Sequence, residues 1–220
     1  PYYQKLLAIQ ERKHGQEHFN VVPALIQLAR CYLGVESAVA ARLAGRAVVI
    51  TEKNFGSDDD RLAAVLVLAA QYADSRAETE RQLTRSISIT EKRYGPNHIN
   101  VLEPLSQLGN LLVIQRKFLH AKDIYGKAEA AVERNADVGG EIKGRIWKGL
   151  GEVYDGMRQE EKAEKYYLRA LDELEKKERA GVVRLDLATV RTRLFNIYLA
   201  QKRTVDIQAL RAREFKNKQR

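Results

Sequence analysis

Trp147 to Ala170 reads WKGLGEVYDGMRQEEKAEKYYLRA, and this stretch decides the fold. Trp147, Leu150, Gly151 and Tyr154 stand at i, i+3, i+4 and i+7, so they share one helix face. Ala163, Tyr167 and Ala170 repeat that spacing further on. Small residues stand where two helices would touch, with large ones on either side. The pattern predicts an antiparallel helix pair, with Trp147, Leu150, Gly151 and Tyr154 as buried packing.

Two rulers extend this pair to the rest of the 220-residue chain. Ile9-x-Glu11-x-x-x-Gly15 recurs from Ile50 to Gly56 and from Ile89 to Gly95. Glycine ends a helix because it takes the left-handed conformation without a Cβ penalty. After the first and third glycines come His18 and His98, each followed two residues later by Asn20 or Asn100. The middle copy has Ser57-Asp58-Asp59-Asp60 instead, and these acidic residues suit a helix N-terminus. The second ruler is Leu28-Ala29-x-x-Tyr32. It returns at Leu68-Ala69, Leu108-Gly109, Leu150-Gly151 and Leu194-Phe195, a period of about 40 residues.

Second helices carry Ala121, Tyr125 and Ala128, then Ala163, Tyr167 and Ala170. Residues 36–54 keep Ala40, Ala44 and Ala47, with alanine in the ring position. Residues 76–93 have Thr79, Leu83 and Ser86, which predicts the weakest packing of the array there. The last copy has Ile207, Arg211 and Glu214. Terminal repeats need a polar outer face, so 204–220 reads as a capping helix with a basic tail.

These motifs resemble the tetratricopeptide repeat (TPR), and ITEKNFG at 50–56 with ITEKRYGPNH at 89–98 resemble the TPR domain of kinesin light chains and their bacterial relatives. The resemblance implies an all-α fold: a right-handed TPR superhelix, an α-solenoid of about five helix pairs plus a leading single helix. The units are about 20–54, 58–93, 97–135, 139–179 and 183–218, with 1–14 the second helix of a preceding unit and the array proper running over 1–203. Four prolines suit such long helices. The helix at 159–179 is expected to gain from acid-before-base pairs Glu161–Lys165, Asp172–Lys176, Glu173–Lys177 and Glu175–Arg179.

The resemblance also implies a non-catalytic scaffold that binds a peptide or partner segment in a concave groove. Its wall would be first-helix residues Gln27, Arg30, Gln107, Asn110, Arg145, Lys148, Arg193 and Asn196. Amide side chains would hold an extended backbone, and the cations would pair with acidic groups of the partner. The second unit contributes Val67, Ala70 and Asp74, without the asparagine of a chaperone-binding carboxylate clamp.

Composition bounds the alternatives. The net charge is +9, and seven basic but only two acidic residues lie from Lys202 to Arg220. Arg211, Arg213, Lys216, Lys218 and Arg220 therefore make nucleic acid a second partner class, in a structural subunit of a ribonucleoprotein. A third reading is a regulatory domain of a longer polypeptide, since Pro1 opens in mid-motif. The single cysteine, Cys31, excludes an internal disulfide and fits a reducing compartment such as the cytoplasm; its neighbours predict a buried thiol. The longest apolar run, Leu62 to Ala70, is half a membrane span.

No catalytic residue, metal site or cofactor is predicted. His14 and His18 are four apart, but Gly15 interrupts their helix and His18 aligns with His98 in a turn. Gly149-x-Gly151 lacks the third glycine and the preceding strand of a dinucleotide fingerprint, so both glycines are read as helix contacts.

Overall fold

The computed structural model describes residues 2–176 and 181–218, except the side chains of 181–184 and 215–218. The described residues form helices α1 (Tyr2–His14), α2 (Val22–Tyr32), α3 (Ser37–Phe55), α4 (Asp60–Ala70) and α5 (Arg76–Tyr94). They continue with α6 (Leu102–Ile114), α7 (Phe118–Arg134), α8 (Gly140–Gly156), α9 (Glu160–Glu175), α10 (Gly181–Ala200) and α11 (Thr204–Lys218). No strand occurs among them. The boundaries follow the sequence period because each pair starts and stops on local chemistry. The chain divides into two compact units, Pro1–Pro104 and Leu105–Arg220.

In the first unit, Gly15, Gly56 and Gly95 all take positive φ, 87° to 93°, where a side chain would be strained. Three residues past each glycine stands a capping side chain. His18 Nδ1 accepts from the Asn20 N–H at 3.2 Å, and His98 Nδ1 accepts from the Asn100 N–H at the same distance. Asp59 Oδ1 accepts from the Arg61 N–H at 3.0 Å. The acidic run of the middle copy is therefore the histidine turn with its acceptor replaced. An acceptor able to reach the N–H two residues on is all this turn needs.

The packing follows one volume rule. In the second unit, first helices carry Gly109 and Gly151, and second helices carry Tyr125 and Tyr167, both fully buried. A Cβ at Gly109 would lie 2.6 Å from the Tyr125 ring, and one at Gly151 2.5 Å from the Tyr167 ring. In the first unit the corresponding first-helix residues are Ala29 and Ala69, and their buried counterparts shrink to Ala44 and Leu83. At α10 the rule inverts. Phe195 replaces the glycine, and the Arg211 guanidinium lies 5.6 Å from its ring centroid.

Ser86 and Thr79 are not simple gaps in the packing of α5. The buried Ser86 hydroxyl donates to the Ala63 carbonyl on α4 at 2.9 Å, and Thr79 donates to its own helix at Ser75 O. Among the described residues, three turns use a non-glycine residue at positive φ: Arg116 (59°), Arg158 (59°) and Lys202 (56°).

Some expectations need correction. Cys31 is exposed, because the buried stripe of Val22, Leu25, Ile26 and Ala29 faces the other side of α2. Tyr154 is only partly buried; it stacks on Tyr166 with centroids 5.4 Å apart. On α9, Lys176 pairs with Glu173 at 3.0 Å, whereas Asp172 serves Arg213 of α11 at 2.7 Å. Glu175 binds Arg191 at 3.2 Å and Arg213 at 2.7 Å. Lys177 and Arg179 lie outside the described residues.

Candidate functional site

The second unit holds a cavity of about 550 Å³. Asn110, Val113 and Ile114 of α6 line it, with Phe118 of α7, Lys148, Glu152, Asp155 and Gly156 of α8, and Arg193 of α10. Helix spacing puts Lys148, Glu152 and Asp155 on one face of α8, at i, i+4 and i+7. Gly156 lets the Phe118 ring lie directly against α8.

Asn110 is oriented from below. Its Oδ1 accepts from the buried Tyr125 hydroxyl at 2.7 Å, which leaves its amide N–H groups as donors. Burial pushes the Tyr125 hydroxyl well above the usual range, so it stays a donor. Lys148 Nζ meets Asp186 Oδ1 at 2.6 Å with only 14 % of its side chain exposed. Arg193 Nη1 lies 3.4 Å from Asp155 Oδ2 with 49 % exposed. Glu152 has no hydrogen bond or ion pair among the described residues. Burial raises its carboxyl, with Lys148 and Arg193 acting in the opposite sense.

The cavity thus gathers three of the eight expected wall residues: Asn110, Lys148 and Arg193. Gln107 and Arg145 are partly buried and each takes part in other interactions. Asn196 is exposed and does not line the cavity. Gln27, partly buried, and Arg30, exposed, belong to the first unit. Lys148 differs from its expected state, since Asp186 already neutralises it.

Glu152 and Asp155 were missed, and the repeat itself contained the signal for Glu152. Wall residues stand one before and two after the leucine of each pair: Gln27 and Arg30, Gln107 and Asn110, Arg193 and Asn196. The same count from Leu150 gives Gly149 and Glu152, whereas Arg145 and Lys148 are out of register. Glu152 is the position that Asn110 and Asn196 occupy in the flanking repeats.

The cations of the tail meet a similar limit. Arg213 is bound by Asp172 and Glu175, and Arg211 covers Phe195. Arg220 and the side chains of Lys216 and Lys218 lie outside the described residues. Among the described residues, no group of three or more His, Cys, Asp or Glu is placed to hold a metal ion. No helix there is long and apolar enough to cross a membrane.

The fold is that of TPR-like repeat proteins. BtubC (BKLC) from P. vanneervenii matches with a TM-score of 0.74 at 16 % identity, over 99 % of this chain and 85 % of that one. A kinesin light chain from Podosopora anserina with nearly identical TPR-like repeats matches at 0.64 and 18 % identity, over 81 % and 86 %. MamA matches at 0.52 and 20 % identity, over 81 % and 88 %. No family model matches the chain, and no curated protein matches it in sequence.

Proposed function

We propose that this chain is a non-catalytic protein-interaction scaffold that receives a segment of a partner protein in the cleft between α6, α8 and α10. One observation carries the reading: the cavity is lined by first-helix side chains, with Phe118 of a second helix, that leave hydrogen-bond donors and an apolar wall open to a ligand. The Asn110 amide suits a backbone carbonyl of an extended segment. Val113, Ile114 and Phe118 suit an apolar side chain, whose burial is worth about 25 cal/mol per Å². An acidic side chain of the partner would reach Arg193, whose guanidinium is half exposed. Lys148 contributes less to an acidic partner than its charge suggests, because Asp186 holds it.

The test is selection of displayed random dodecapeptides on the intact chain, followed by affinity measurement. Ile114→Arg places a large charge at an exposed position of the cleft wall. Binding is expected to fall at least tenfold in this variant, and a smaller loss is expected for Arg193→Ala with peptides carrying an acidic residue. Peptide affinity unchanged by Ile114→Arg overturns the site.

A further inference from the structure

We propose that Glu152 forms the floor of a subsite for a cationic side chain, lysine or arginine, of the partner segment. This rests on the cleft being the docking site and adds the chemistry of one contact.

The first argument is the charge arrangement around the cavity. Its carboxylates are Glu152, Asp155 and the adjoining Asp186, and its cations are Lys148 and Arg193. Lys148 is committed to Asp186 at 2.6 Å and Arg193 faces Asp155 at 3.4 Å. Among the described residues, Glu152 is the cavity carboxylate left without an ion pair or hydrogen bond. A half-buried carboxylate in that state gains from any N–H donor that reaches it, and most from a charged one.

The second argument comes from the repeat. One unit earlier, Asn110 stands at this position and Tyr125 donates to it at 2.7 Å. One unit on from Tyr125 stands Tyr167, fully buried. Among the described residues its hydroxyl has no acceptor in hydrogen-bonding geometry, and Asp155, ahead of Glu152, is the carboxylate that acts on it most strongly. The tyrosine bond made to Asn110 in the earlier repeat is therefore not made to Glu152 here.

The third argument is shape. A lysine or arginine side chain has an apolar stem and a charged tip. Val113, Ile114 and Phe118 offer the apolar wall, and Glu152 lies on the same cavity. A carboxylate set at Glu152, rather than at Arg193, would face an unpaired negative charge.

The experiment uses the dodecapeptides selected on the intact chain. A basic residue is expected at one common position. Replacing it by norleucine, which keeps the stem and removes the charge, should cost at least tenfold in affinity for the wild-type chain. Against Glu152→Gln the same replacement should cost twofold or less. Peptides that bind the cleft, as shown by loss with Ile114→Arg, but share no basic residue overturn this inference and leave the docking site standing. An equal norleucine penalty on both proteins also overturns it. If no peptide binds, or if Ile114→Arg changes nothing, the docking site and the subsite both fall.

Discussion

The ring of Tyr125 occupies the space that a side chain on Gly149 would need. The same ring fills the place of a Cβ on Gly109, so one residue of α7 is clamped between α6 and α8. Gly149→Ala is therefore expected to destabilise the protein. Alanine favours a helix over glycine by about 1 kcal/mol. Overpacking a closed interior costs about 1–3 kcal/mol, and a rigid buried ring has little room to move. We expect a net loss of about 1–2 kcal/mol, read as a lower urea midpoint. A raised midpoint would show that the glycine is not there for contact.

The turn caps give a graded prediction. Asp59→Ala removes the acceptor for the Arg61 N–H and should cost about 1 kcal/mol, whereas Asp59→Asn should retain most of the stability. His98→Ala should cost a similar amount in the equivalent turn. Thermal unfolding of the three variants tests this. Equal melting points for Asp59→Ala and the wild type would remove the cap from the account of the turn.

Ser86 separates two readings of α5. If serine is only an imperfect packing alanine, Ser86→Ala should stabilise the protein. Its hydroxyl donates to Ala63 O inside the core, so we expect a loss of about 1 kcal/mol instead. Chemical denaturation decides between the two signs.

Glu152 sets a pH dependence. Burial raises its carboxyl in the folded chain, so the folded state holds this proton to higher pH than the unfolded state does. Stability then falls as pH rises from the ordinary carboxylate range through the raised value. Glu152→Gln should remove that part of the slope and be relatively more stabilising at neutral pH than at pH 4. Parallel stability–pH curves for the two proteins would contradict the raised carboxyl.

Glu52 works in the opposite direction. Its two carboxylate oxygens accept from Arg85 at 2.6 and 3.1 Å, which lowers its pKa below the usual carboxylate range. Its contribution is present above the unfolded carboxylate range and is lost as pH falls through the lowered value. Both side chains are more than a third exposed, so Arg85→Ala should cost under about 1 kcal/mol at neutral pH. The difference between Arg85→Ala and wild type should shrink toward acid, as followed by denaturation at several pH values. A difference that grows toward acid would sink this account.

Helix placement, the period near 40 residues, and the contact role of Gly149 and Gly151 were legible in the chain by itself. They rest on local chemistry: helical spacing, a left-handed glycine and an N-terminal acceptor act within a few residues. The repeat then multiplies each weak local signal. Only the tertiary structure decided which wall residues are committed. Lys148 reads as a free cation in sequence, yet its partner Asp186 lies on another helix, 38 residues away. Glu152 reads as one more solvated acid on α8, and its desolvation arises from the helices packed around it. Asp172 and Glu175 looked like local helix pairs and proved to be ligands for Arg213 and Arg191 across helices. Charge pairing and burial depend on distances between segments remote in sequence. A one-dimensional period shows which residues are equivalent without showing what each one meets.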